Sequence, residues 1–454
     1  MVDEKIQVEN VEHVVYDSPE KEIVEFRGSD ALLEAAQKDP PKIFSKRMLQ
    51  LYIICLIPFL CSTMNGYDGS LLSSLLLLKP FNDTFGATTV GIKAGLISAM
   101  YQIGGVATIP FLGPVNDTFG RRFGMFFGCL IVVIGTVVQA TSKNINQLMG
   151  GRFVLGFGVS FATAAAPIYA IEISHPSYRA AITGSYNTLY CWGSILATVV
   201  LFCTQNIPNN RAWIIPTYVQ MVCPGLVVIF SMFLPESPRW LYCNGKQEKA
   251  KEILTYYHGE GNPENAFITL QIREFEEQLE LDGTDKRWWD YRALFRDRAS
   301  IYRLCCNLVY SCFGQLSNGG ISYFVGAFYH SAGITSNRTI FSYNLGTGFL
   351  SFILALIGAQ VIQQIGRRKV ILGSLVGMTL FWALVTICVA RFDASGEKTT
   401  AWAQAGIAFY ILFGVVYGKL RCCLFRQVYI LTKTQPSRLL LCKHFILMKS
   451  FHTK

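Results

Sequence analysis

MLQLYIICLIPFLCSTMNGYDGSLLSSLLLL, residues 48–78, holds a single charge, Asp68, in a stretch longer than the roughly 20 residues a helix needs to cross a bilayer. Nine more stretches, 94–116, 123–142, 153–171, 180–210, 212–235, 304–337, 339–366, 370–390 and 399–418, contain no Asp, Glu, Lys or Arg. Each is near or above that length. Backbone in lipid has no water to satisfy its N–H and C=O groups, so such runs imply helices that bond internally and pack side by side. Composition agrees: 51% of residues are hydrophobic and 15% charged, against about 25% charged in a soluble chain. This excludes a soluble enzyme, a disordered chain, a secreted disulfide scaffold and a nucleic-acid-binding domain. The chain reads as an all-α membrane protein with about ten transmembrane helices.

The net charge of +10 lies mostly at one end, because residues 419–454 contain eight Lys or Arg and no acid. The first forty residues hold eleven acids against four bases and no apolar core after a basic start, so they read as a polar, disordered tail, not a cleaved signal. The fourteen cysteines lie mainly inside apolar runs, with no C-x-x-C pair and no His at ligand spacing, and read as small hydrophobes. No metal or cofactor is expected.

Lys42, Lys46 and Arg47 precede the first span, and clustered bases follow the even-numbered ones: Arg121-Arg122, Arg179, the stretch from Lys246 to Arg303, and Arg367-Arg368-Lys369. The excess of Lys and Arg in cytoplasmic loops then places the N-terminus inside. The sequons at Asn82 and Asn337 fall in loops this topology puts outside and are expected glycosylation sites; a third, at Asn116, falls inside. The organisation expected is a cytoplasmic tail over 1–47, a six-helix half over 48–241, a cytoplasmic helical loop over 242–300, a second half over 301–418 and an anomalous basic tail over 419–454. The two halves echo one another. Gly113-x-x-x-Asp117-x-x-Gly120-Arg121-Arg122 follows the second span, and Gly366-Arg367-Arg368 follows the eighth. Repeated halves around a central site are a common plan of secondary transporters.

Five further strings join these turns: Gly66-Tyr67-Asp68-Gly69, Gly151-Arg152-Phe153-x-x-Gly156-x-Gly158, Pro167-x-Tyr169-x-x-Glu172, Pro235-Glu236-Ser237-Pro238-Arg239-Trp240-Leu241, and Phe313-Gly314-Gln315-Leu316-Ser317. In this order, over about residues 48–418, they resemble the sugar porter family of the major facilitator superfamily, most of all fungal lactose permeases and hexose transporters. The resemblance implies the major facilitator helical bundle and transport of a mono- or disaccharide, hexose or lactose-like, by alternating access with proton symport. It also implies a multi-pass protein of the plasma membrane, acting as a monomer on a small-molecule sugar and protons within the lipid bilayer.

Sugars need donors and acceptors together, which amides supply. By resemblance Asn187 stands where many sugar porters carry a sugar-binding Gln. Gln315 matches the second of a family Gln pair, and Asn318 is a shifted contact beside it. Tyr323 lines the same path, and Gln102 is a further polar candidate in span two. An acid within a span is a functional candidate by default. The resemblance pairs Asp68 with Arg152 for proton coupling. It assigns Asp117, Arg121, Arg122, Glu172, Arg179, Glu236 and Arg239, with Arg367 and Arg368, to an ion-pair network that latches the cytoplasmic face. Gln363 replaces the acid that would match Asp117, so the second latch should be weaker.

The family has twelve spans, of which this sequence offers ten. After Gly418 the composition breaks, and a retained intron, a frameshift or a truncated product is expected there. The competing functions are a transporter-like sugar receptor and a truncated transporter without activity. A membrane enzyme is not expected, for want of a Ser-His-Asp set, a metal cluster or a phosphate loop.

Overall fold

The structure is a computed structural model and describes residues 29–86, 91–282, 337–365 and 367–394, with scattered positions in 298–336 and 402–416. Every regular element among the described residues is an α-helix. Eight helices there are long and apolar enough to span a membrane. In the first half these are α2 (Lys46–Leu75), α4 (Ile92–Phe119), α5 (Arg121–Ala140), α6 (Ile145–Ile173), α7 (Arg179–Thr204) and the pair α8 (Arg211–Val219) and α9 (Val222–Ser231). In the second half they lie in α13 (Asn337–Ile365) and α14 (Arg367–Ala394), with a shorter apolar helix, α15, at Gln404–Gly414. The charge-free run 304–337 falls largely outside the described residues, and of 399–418 the stretch 404–414 is described as α15.

The spans wear apolar side chains outward. Ile53, Phe111, Ile134, Ile229, Phe233, Ile353, Val376 and Leu380 are all exposed, as a lipid-facing belt requires. Packing between spans comes instead from small residues that let backbones approach. A Cβ on Gly104 of α4 would collide with the Phe153 carbonyl of α6, and one on Gly156 of α6 with the Tyr101 carbonyl of α4. The contact is therefore backbone to backbone in both directions.

Two features depart from the sequence reading. The run 212–235 is a broken span: α8 stops at Val219 and α9 starts at Val222. Pro216 and Pro224 flank the break, and neither supplies an N–H to the ladder. Residues within the stretch expected to be a disordered tail form α1 (Ser29–Lys38). Its Ala35 is buried, α1 packs on the helix Ala266–Asp282, and Glu34 and Lys38 pair at 2.7 Å one turn apart.

Beyond Leu234 come α10 (Pro238–Cys243), α11 (Gln247–Tyr257) and α12 (Ala266–Asp282), packed around Leu241, Tyr242, Leu254, Ile268 and Phe275. They sit on one end of the bundle, the insert face. His258 fastens them there. Its Nδ1 accepts from Gln271 Nε2 at 2.9 Å, so its Nε2 carries the hydrogen and donates to Ile173 O, the end of α6, at 3.0 Å. The opposite end, the far face, closes over a second apolar cluster. Leu71, Leu75, Leu78, Phe81 and Trp213 of the first half meet Tyr329, Ile340, Phe341 and Ile407 of the second there. Short α3 (Lys79–Phe85) lies along it.

Candidate functional site

Asp68 and Arg152 are both buried inside the first half, on α2 and α6. The Arg152 guanidinium and the Gln220 amide act on the Asp68 carboxylate. Burying a carboxylate in a span is expensive without a partner, and here the counter-charge is the compensation. Gln220 occupies the break between α8 and α9. The Tyr67 hydroxyl, next to Asp68, donates to Pro216 O at 2.8 Å on the same broken span. A break at that depth frees backbone from the helical ladder and brings an amide to the acid. Sequence reasoning missed Gln220; two prolines eight residues apart around a lone amide in a charge-free run were the available signal.

Of the expected sugar contacts, Asn187 is buried on α7, its Nδ2 placed 3.4 Å from Thr183 O of its own helix. Gln102 is half-buried on α4. Gln315, Asn318 and Tyr323 lie outside the described residues. The cavity of about 350 Å³ lined by Arg47, Glu248, Lys251, Tyr256 and Pro263 is on the insert face, remote from Asp68, and Arg47 stacks over Tyr256 at 4.9 Å beside it.

The insert face holds a polar hub. Arg121 Nε lies 3.2 Å from Glu172 Oε2, and its Nη1 lies 3.4 Å from Asp117 Oδ1 and 3.1 Å from Asn116 O. Ser237 Oγ donates to the same Glu172 oxygen at 2.5 Å, and Trp240 Nε1 donates to Asp117 O at 2.8 Å. Tyr169 OH donates to Pro235 O, also at 2.8 Å.

Glu236 contacts the arginine pair through their backbone. Its Oε1 accepts the backbone N–H groups of Arg121, Arg122 and Ser237 at 3.1, 3.2 and 3.0 Å. It is an anion seated on the open N-terminus of α5, where unpaired N–H groups and the helix dipole favour negative charge. Gly120 makes room: its φ is +97°, and a Cβ there would lie 2.5 Å from Glu236 Oε2. Burial nevertheless pushes the Glu236 carboxyl above the ordinary range, against its three N–H donors and the nearby arginines.

Arg122 spends its side chain on Leu234 O at 2.8 Å. Arg179 and Arg239 enter no ion pair within 4 Å among the described residues. Among the described residues the cluster is one arginine hub with two acids within 4 Å, plus an anion cap. Ser237 and Trp240 complete it. The backbone of Arg367 and Arg368 opens α14; their side chains lie outside what is described. Of the three sequon amides, Asn82 Nδ2 donates to Leu76 O at 3.0 Å, and Asn337 Nδ2 to Leu77 O at 2.9 Å.

Comparison with known proteins fits this architecture. The chain is 28% identical over 380 residues to the MFS-type transporter criB of Aspergillus cristatus, covering 81% of this chain and 78% of that protein. It is 25% identical over 398 residues to the quinate permease of Emericella nidulans, covering 83% and 73%. Among solved structures, a partially occluded inward-open form of the xylose transporter XylE from E. coli superposes with a TM-score of 0.68 at 18% identity, covering 89% and 93%. XylE bound to 6-bromo-6-deoxy-D-glucose gives 0.71 at 18%, covering 88% and 86%. The fold is therefore that of the major facilitator superfamily. The family model described as "Sugar (and other) transporter" matches residues 54–426, and the chain belongs to that family of membrane transporters.

Proposed function

We propose that this chain carries a sugar or a related polyhydroxylated ring compound across the membrane by alternating access, with proton symport through Asp68. The buried Asp68–Arg152 pair with Gln220 beside it is the observation that carries the reading. When Asp68 is ionised, its attraction for Arg152 holds α2 to α6. A proton on Asp68 removes that attraction and lets the half repack, so the proton biases one conformation over the other. Asn187 and Gln102, with Gln315, Asn318 and Tyr323, supply the donors and acceptors for hydroxyl groups. The Arg121 hub latches the insert face and gives way when that face opens. XylE is described as a proton:xylose symporter, which favours the coupled form.

The fungal relatives widen the substrate class. Several are named quinate permeases, so a quinate-like hydroxylated carboxylate stands beside a neutral hexose or disaccharide. The insert face is cytoplasmic in this reading, because Lys42, Lys46, Arg47, Arg121 and Arg122 all gather there. The protein works as a monomer in the plasma membrane. Uptake into proteoliposomes of a labelled sugar panel and of quinate, with and without a pH gradient, tests the assignment. Accumulation of none of them under either condition overturns it; accumulation insensitive to the gradient overturns the coupling.

A further inference from the structure

The last carbonyls of span one receive side-chain donors from two separate places. α2 ends at Leu75, so the C=O groups just beyond it have no helical N–H to accept. Leu76 O takes the Asn82 amide from the adjoining α3. Leu77 O takes the Asn337 amide, 2.9 Å away and 260 positions later in the sequence. Asn337 is the first residue of α13, in the second half of the chain. Three positions on, Ile340 is fully buried together with Phe341 in the far-face cluster. Residues three apart share a helix face, so the polar tie and the apolar seal form one contact between the halves.

We propose that Asn337 is a pin that holds the far face shut, and that its sequon marks this tie and not a glycan acceptor. The nitrogen a glycan would occupy is the one that donates to Leu77 O. Opening the far face must part the two halves there, releasing the amide and exposing Leu77 O to water. The consequence for transport rests on the alternating-access reading, but the contact can be tested without any substrate.

The reporter is Ala197→Cys on α7, a small buried member of the seal, in a full-length background carrying Cys191→Ser and Cys203→Ser. Labelling by a membrane-impermeant maleimide is followed by mass spectrometry of the peptide containing position 197. A lost hydrogen bond shifts an open–closed equilibrium by about three- to tenfold. Asn337→Asp, which removes the donor, should raise the labelling rate by that factor. Thr339→Ala destroys the sequon but keeps the amide and should leave the rate unchanged, and endoglycosidase should remove nothing from position 337. Should Asn337→Asp fail to reach the membrane, Asn337→Ala is read the same way. Labelling of the donor-less variant at the parental rate overturns the pin. So does an equal rise in Thr339→Ala, or a glycan found on Asn337, since either would make the sequon the functional element.

Discussion

Arg121 and Glu172 approach to 3.2 Å on the insert face, and both side chains are nearly shielded from solvent, at 10% and 5% exposure. They join the start of α5 to the end of α6. The same Glu172 oxygen accepts Ser237 Oγ, so one carboxylate ties three segments of the first half together. A surface pair contributes little to stability, but removing one member of a buried pair strands the other.

Arg121→Lys should therefore be costly despite conserving charge. Arg121 reaches Glu172 with Nε and both Asp117 and Asn116 O with Nη1, and a lysine ammonium cannot hold all three. A loss of about 3 kcal/mol is expected, read as a lower melting temperature in detergent. Arg239→Lys, at a site without an ion pair among the described residues, should melt within a degree or two of the parent.

Gly120→Ala and Glu236→Gln probe the anion cap from its two sides. Alanine at φ +97° is strained, and its Cβ would press on Glu236 Oε2. Glutamine keeps an acceptor but drops the charge facing the α5 N-terminus. The expected costs are about 1–3 kcal/mol for the first and about 1 kcal/mol for the second. Thermal melts of both should show the glycine change as the more damaging.

Gly156→Ala should destabilise by about 1–3 kcal/mol, because the added methyl meets the Tyr101 carbonyl. Gly150, on the same helix, has open space around its Cβ direction, so Gly150→Ala should be neutral or mildly stabilising. Equal melting temperatures for the two variants would contradict backbone-to-backbone packing of α4 on α6.

Docking of the insert helices should weaken in acid. Burial lowers His258 to about 3, with His175 and Arg179 adding to the effect; burial lowers His175 to about 4, again with Arg179. Unfolded histidine titrates near 6.5, so between that value and the folded values the unfolded state binds more protons. Stability from these groups is complete above about pH 6.5 and falls as the pH drops toward 4, by up to about 1.4 kcal/mol per group and pH unit. His258→Gln should flatten the dependence of melting temperature on pH between 7 and 5. A variant with the parental slope would contradict the role of His258.

The helices were legible because lipid demands long uncharged runs, and α2, α4, α5 and α6 follow those runs closely. Arg121, Glu172 and Glu236 were legible as motif positions, but their bonding was not. That Glu236 would serve backbone N–H groups depends on the direction of α5, which no spacing encodes. Gln220 and His258 escaped notice, and Ser237 and Trp240 were legible only as members of a motif string, because each gains its role from a partner far along the chain, and singly each is an ordinary polar or aromatic residue. Asn82 and Asn337 were legible as sequon asparagines, but not as donors to the carbonyls just beyond α2. Helix α1 was hidden in an acidic segment whose overall charge masked the short apolar face of Leu32 and Ala35.

Proton coupling through Asp68 is the centre of the account, and counterflow separates it from substrate binding. Proteoliposomes loaded with an unlabelled transported substrate exchange it for label without needing net proton movement, whereas uphill uptake needs the proton. Asp68→Asn should keep counterflow while abolishing accumulation driven by a pH gradient. An Asp68→Asn protein that still concentrates substrate against its gradient at the parental rate would contradict the mechanism.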